Sequence, residues 1–145
     1  MGKISLYDRA IVDYKQGVRA LADAHVDDAM CDMAGYHLQQ SVEKLLKYQI
    51  EQKGEVFPFT HDIALLIDMV DDVPSWIIDN SQTITKYEAL TRYSSVKVAS
   101  RTYLTNWYKL LHDYIDNLRL EEEVREEFSP ASIFTKNSMS PTANT

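Results

Sequence analysis

Apolar residues recur every three or four positions over most of the chain, which is the spacing of the buried face of an α-helix. The pattern predicts five helices, over residues 5–24, 28–53, 61–70, 74–91 and 96–120. The apolar stripe of the first helix comprises Ala10, Tyr14, Val18 and Leu21. That of the second comprises Met30, Ala34, Leu38, Val42, Leu45 and Ile50, and that of the fifth comprises Tyr103, Trp107, Leu110, Tyr114 and Leu118. These segments indicate an all-α fold.

Residues suited to helix ends mark several of these boundaries. Ser5 stands three residues before Asp8, a spacing that lets a serine hydroxyl cap the first helix. Gly54 follows the second helix, where glycine readily takes the left-handed conformation that ends a helix. Thr60 suits the N-cap of the third helix, and Pro74 suits the first turn of the fourth. Local residue types therefore agree with the periodicity.

Composition sets the domain organisation. The chain has 145 residues, 45% of them hydrophobic, which suits one domain with its own core. Only 4 Gly and 4 Pro are present, which favours a few long elements over many short ones. From residue 128 onward Ser, Thr, Pro and Asn dominate, and such a segment buries too little apolar surface to offset its ordering entropy. We therefore predict a helical domain over residues 1–127 and a disordered tail over 128–145.

Charge and cysteine content exclude several classes of protein. A formal net charge of −7 argues against non-specific nucleic-acid binding. Cys31 is the single cysteine, and neither His25 nor His37 has an acid or cysteine partner at metal-ligand spacing. The start of the chain has no signal-peptide pattern, and no stretch approaches the roughly 18 apolar residues that cross a bilayer. The sequence predicts a cytoplasmic protein without a metal, another cofactor or membrane contact.

Three stretches in order carry a family resemblance. Residues 34–47, AGYHLQQSVEKLLK, resemble the helix of the HEPN family in which a Gln-Gln pair is followed by Glu and Lys. Residues 57–63, FPFTHDI, are similar to that family's Thr-His-Asp entry to the next helix. Arg92-Tyr93 resembles its Arg-Tyr-Pro motif, with Ser94 in place of the proline. The resemblance spans about residues 6–118.

The resemblance implies an up-and-down bundle of four or five antiparallel helices that pairs into a homodimer around its polar motif residues. It also implies a minimal nucleotidyltransferase as a partner, since members are often encoded beside one. Many members are the toxin of a toxin–antitoxin pair, and active members cleave RNA with an Arg-x4–6-His motif near the dimer interface.

This chain departs from the catalytic part of that pattern. Residues 93–99, which follow Arg92, contain no histidine, and His112 stands too far along the chain. Ala99 and Ser100 occupy the neighbourhood in which nucleotidyltransferase-paired members carry a nucleotide-accepting tyrosine. The resemblance therefore implies a binding protein with no catalytic residue.

Polar residues on the second predicted helix form the first candidate binding surface. Gln40, Glu43 and Lys47 are three and four positions apart and share one face. Two interpretations remain open at this point. The face is either a solvated stripe with a Glu43–Lys47 ion pair or a polar groove that receives a nucleotide or a partner.

Candidate residues also lie in the later motifs. His61 beside Asp62 suggests a tuned base, but neighbours on a helix do not face each other, so two structural residues at a helix start are the alternative. Arg92 either recognises a phosphate or pairs with Glu88, four residues earlier, and Tyr93 follows it.

The leading hypothesis is a non-catalytic homodimer that binds a nucleotide, an RNA or a minimal nucleotidyltransferase. Its predicted binding residues are Gln40, Glu43, Lys47, His61, Asp62, Arg92 and Tyr93. One alternative is a metal-independent endoribonuclease toxin with His61 or His112 as the base. A pure scaffold, in which all these residues are surface or interface, is the other.

Overall fold

The computed structural model describes residues 4–25, 29–90 and 99–127. Over these residues the chain is helical and contains no strand, so the all-α prediction is confirmed. The helices are α1 (Leu6–Asp23), α2 (Met30–Gln52), α3 (Ile63–Ile67), α4 (Ser75–Asp79), α5 (Ser81–Lys86), a 3-10 turn (Tyr87–Ala89) and α6 (Arg101–Glu127). The predicted tail over 128–145 and the predicted site residues Arg92 and Tyr93 lie outside the described residues.

The chain divides into two compact units, residues 1–112 and 113–145. The first contains α1 to α5, the 3-10 turn and the start of α6. In the second unit the described residues continue α6, with Tyr114, Ile115 and Leu118 buried. Burial and the nearby Glu121 raise the pKa of Tyr114 above its usual range, so its hydroxyl stays neutral.

Two helix ends form as their residues predict. The Ser5 hydroxyl accepts a hydrogen bond from the Asp8 backbone N–H at 3.0 Å, which caps α1. At the end of α2, Gly54 has a φ of +79°. Its N–H donates to the Glu51 carbonyl at 2.9 Å, and the next N–H, of Glu55, donates to the Ile50 carbonyl at 3.2 Å. This is the Schellman arrangement, in which glycine avoids the strain that a Cβ would meet.

The third and fourth predicted helices are shorter than expected. The N-cap of α3 is Asp62, whose carboxylate accepts from the Ala64 N–H at 3.0 Å. The predicted cap, Thr60, lies two residues earlier, and its hydroxyl accepts from the Asp62 N–H instead. The segment after Pro74 breaks at Asn80, because the Asn80 amide donates to the Trp76 carbonyl at 2.7 Å. Asparagine side chains compete with helical hydrogen bonds in this way.

The buried face of α1 is made of small and polar residues. Ala10, Asp13, Gly17 and Ala20 are buried, whereas Val18 of the predicted stripe is 38% exposed. The prediction was wrong here because α1 packs closely on α2, and close packing favours small side chains over large apolar ones. The predicted α2 stripe is confirmed, since its members from Ala34 to Ile50 are all buried.

A close approach to α6 explains one glycine of that face. A Cβ on Gly17 would lie 1.7 Å from the Tyr108 hydroxyl oxygen. That hydroxyl donates to the Ala34 carbonyl of α2 at 2.6 Å. Tyr108 therefore ties α6 to α2 through the space that glycine leaves on α1. Of the predicted α6 stripe, Trp107 is buried, but Tyr103 is 63% exposed and that position was predicted wrongly.

Candidate functional site

The candidate site centres on a buried carboxylate of α2. Glu43 is 6% exposed. One of its oxygens accepts from the Gln39 side-chain amide at 2.8 Å and lies 2.8 Å from His61 Nδ1. The other lies 3.0 Å from Lys47 Nζ. Three donors from two parts of the chain thus surround one carboxylate, as a buried charge requires.

These contacts fix the ionisation of Glu43. Burial by itself would raise the pKa of the carboxyl, but the hydrogen bonds from His61, Gln39 and Lys47 and the charge of Lys47 outweigh it. The pKa of Glu43 is therefore lowered, and the group is a carboxylate at neutral pH. Since a carboxylate only accepts, the proton of the 2.8 Å contact sits on His61 Nδ1.

His61 is the exposed end of this arrangement. Its side chain is 59% exposed, and its Nε2 lies 3.7 Å from a carboxylate oxygen of Glu88 in the 3-10 turn. Glu43 sets the ring orientation, and Nε2 remains at the surface, where it can donate or accept a proton. Glu88, considered from sequence as a partner for Arg92, lies beside His61; whether it also pairs with Arg92 lies outside the described residues.

The hydrogen bonds continue in the other direction along α2. The Gln39 side-chain oxygen accepts from the Gln40 amide at 2.6 Å, and Gln40 in turn accepts from Lys44 Nζ at 3.3 Å. Lys44 Nζ also lies 2.5 Å from a carboxylate oxygen of Asp13 on α1. The second Asp13 oxygen lies 3.0 Å from His37 Nδ1. We call this continuous set the polar chain; its members are Glu88, His61, Glu43, Gln39, Gln40, Lys44, Asp13 and His37, with Lys47 as a branch.

Lys47 belongs to the interior rather than to a binding surface. It is 8% exposed, and its ammonium group lies 5.1 Å from the centroid of the Phe57 ring as well as beside Glu43. The interpretation of Glu43 and Lys47 as a solvated stripe is therefore wrong, although the ion pair itself is present. A Lys47 held in this way cannot reach a ligand without breaking a buried pair.

The structure brings together four of the predicted residues, namely Gln40, Glu43, Lys47 and His61. Asp62 has a different role, because its carboxylate caps α3. The positions of Arg92 and Tyr93 relative to this group lie outside the described residues.

Other members of the polar chain were missed from the sequence. Asp13 carried a usable signal, since it falls in register with the small residues Ala10, Gly17 and Ala20 on the buried face, and a buried acid needs a partner. His37, which has no acid at ligand spacing in the sequence, finds Asp13 across 24 positions. Among the described residues no group of three metal-ligating side chains occurs. None of the helices in that part of the chain is both long and apolar enough to traverse a bilayer.

Comparison with known proteins identifies one family. The model of the HEPN domain matches residues 5–129 of this sequence, which includes the polar chain. No curated protein and no solved structure matches the chain.

Proposed function

The chain belongs to the HEPN domain family, and on that premise we propose that it is a non-catalytic homodimeric protein that binds the phosphate of a nucleotide or an RNA beside His61. The observation that supports this most is the His61–Glu43 contact at 2.8 Å. It holds a half-exposed imidazole in one orientation by means of a buried carboxylate. A core without a ligand to place gains little from burying such charges, because their desolvation offsets most of their attraction.

The charges around His61 indicate which residues would contact the phosphate. His61 stands between Glu43 and Glu88, and Glu43 is matched by Lys47. The described part of the site therefore supplies orientation and a hydrogen-bond donor rather than excess positive charge. The proposal assigns the phosphate contact to Arg92, whose planar guanidinium suits phosphate, and a base contact to Tyr93.

A binding titration tests the proposal. A short fluorescent RNA with a 5′-phosphate and ATP serve as probes, measured at low and at raised salt. We expect Arg92→Ala to weaken binding at least about tenfold, as for the loss of a charged hydrogen bond. Arg19→Ala removes the same charge from an exposed position of α1 and should have little effect. Unchanged affinity in Arg92→Ala, or no binding of either probe to the parent protein, contradicts the proposal.

The homodimer is tested separately by light scattering coupled to gel filtration. A dimer that persists on dilution to micromolar concentration is the expected result. A monomer at every concentration contradicts the paired form. If neither probe binds but a minimal nucleotidyltransferase co-purifies with the protein and Arg92→Ala releases it, the partner is that enzyme rather than a nucleotide.

The geometry of His61 also favours a second candidate, a metal-independent endoribonuclease. An imidazole whose Nδ1 is held by a carboxylate can use Nε2 as a general base. His112, the other base considered, lies with its ring 6.0 Å from the Tyr14 ring. Cleavage of RNA by the parent protein in the presence of a metal chelator, and its loss in His61→Gln, would support this candidate. Intact RNA after prolonged incubation with the parent protein removes it.

A further inference from the structure

A second concave surface lies beside α5 and the 3-10 turn. It is a groove of about 540 Å³, lined by Asn80, Thr83, Tyr87 and Ser100 and by Tyr103, Asn106 and Trp107 of α6. Sites for small ligands commonly fall in this range of volume. None of these seven residues belongs to the three quoted family motifs or to the polar chain, although Ser100 lies where nucleotidyltransferase-paired members carry their tyrosine.

The aromatic wall is built as a stack. The centroid of the Trp107 ring lies 6.5 Å from that of the Trp76 ring, with an angle of 27° between the ring planes. It lies 6.0 Å from the centroid of the Tyr103 ring, with an angle of 20°. Trp107 is buried, whereas Tyr103 is 63% exposed. Trp107, itself stacked on Trp76, supports the Tyr103 ring, which is left open to a ligand.

The remaining lining is neutral and able to form hydrogen bonds. The Asn80 side-chain amide nitrogen donates a hydrogen bond to the Trp76 carbonyl, which leaves the Asn80 side-chain oxygen as an acceptor. Neither the Asn106 amide nor the Thr83 hydroxyl bonds to another residue within the described ranges. None of the seven described lining residues is charged. Such a lining matches a planar ring whose edge carries both donors and acceptors, and it does not match a phosphate.

We propose that this groove binds a neutral nucleobase, which stacks on Tyr103 and is held at its edge by Asn106 and Asn80. Flat aromatic surfaces combined with amide side chains are the means by which proteins recognise unstacked bases. None of the described lining residues requires a charge on the ligand, so this proposal can be tested apart from the phosphate contact proposed at Arg92.

The chain carries its own reporter for this site. Its two tryptophans are Trp107, which lines the groove, and Trp76, which stacks on Trp107. A base that stacks on Tyr103 should quench their fluorescence, so titration with adenosine is a direct assay. We expect saturable quenching by adenosine, and an affinity for AMP that is equal within about twofold, because the described lining of the groove carries no positive charge for the phosphate.

Three variants of exposed or partly exposed groove positions test the geometry. Tyr103→Ala should weaken adenosine binding about tenfold or more, since it removes the stacking surface, whereas Tyr103→Phe should retain it. Asn106→Leu should weaken binding about fivefold or more through loss of the edge hydrogen bonds. Phe59→Ala removes a fully exposed aromatic ring elsewhere and should leave binding unchanged.

The outcomes separate this proposal from the one for Arg92. Absence of saturable quenching by adenosine, equal affinity in Tyr103→Ala, or binding of AMP without binding of adenosine each overturns the groove. Arg92→Ala is expected to leave adenosine affinity unchanged. Loss of RNA binding in Arg92→Ala with intact adenosine binding would therefore support two separate sites.

Discussion

The polar chain and the aromatic groove flank the same short segment and are built on opposite principles. In the polar chain every described side chain is engaged, charges are paired, and His61 is the most exposed side chain. In the groove the lining is neutral, Tyr103 is exposed, and the amide of Asn106 has no partner among the described residues. A network whose hydrogen-bonding groups are all paired stabilises the folded state, whereas a surface with unpaired hydrogen-bonding groups is available to a ligand. The comparison therefore predicts that the two regions respond differently to substitution.

The largest effect is expected at the centre of the polar chain. Glu43→Ala leaves Lys47 as an unpaired buried charge and removes the acceptor of His61 and Gln39. We expect the free energy of unfolding, measured by urea denaturation, to fall by about 3–5 kcal/mol.

The control for that substitution is Glu51→Ala. It removes an exposed acid from the last turn of the same helix and should cost less than about 0.5 kcal/mol. Similar losses for both variants would mean that burial of Glu43 does not matter to the fold.

The next effect tests close packing rather than charge. Gly17→Ala places a methyl group against the Tyr108 hydroxyl, which must move and give up its bond to the Ala34 carbonyl. A loss of about 1–3 kcal/mol is expected on thermal or urea unfolding. Adding Tyr108→Phe should recover part of that loss, because the nearest clashing atom is gone. Full additivity of the two substitutions would contradict the contact.

A smaller effect should appear in the pH dependence. Because the folded-state pKa of Glu43 is lowered, its contribution to stability is present above the ordinary value of 4.5 and is lost as pH falls through the folded pKa. The free energy of unfolding should therefore fall below about pH 4.5 more steeply in the parent protein than in Glu43→Gln. Parallel curves for the two proteins would show that the carboxylate is not stabilised by its three donors.

At alkaline pH the buried tyrosines determine how the free energy of unfolding changes with pH. Burial and then Asp32 raise the pKa of Tyr87 to about 12, so its contribution is complete below pH 10 and is lost as pH rises toward 12. Tyr87→Phe should flatten this decline in urea unfolding curves recorded between pH 9 and 12. A decline of unchanged steepness would rule out Tyr87 as its source.

The smallest effect is expected in the groove. Tyr103→Ala removes an exposed ring and should change the free energy of unfolding by less than about 0.5 kcal/mol, even though it weakens adenosine binding. A loss comparable to that of Glu43→Ala would show that Tyr103 belongs to the core, and the comparison between the two regions would fail.

Helix ends and helix faces were predictable wherever the deciding contacts are local. The Ser5 cap, the Gly54 end and the i,i+4 pair of Glu43 and Lys47 are all set within a few residues. The break at Asn80 is local too, but it depends on one side chain choosing a backbone carbonyl over solvent, and periodicity does not reveal that choice. Which side chains of the polar chain contact one another across helices was not predictable in the same way.

By itself the sequence determined an all-helical chain of the HEPN family with polar residues in register on its second helix. Only the tertiary structure decided that Glu43 meets His61 and that Asp13 meets Lys44, pairs separated by 18 and 31 positions. It also decided that the face of α1 that packs on α2 is the small-residue face. Periodicity within a helix follows from the geometry of a single turn, whereas these contacts depend on how two helices approach, which is fixed by the packing of the whole unit.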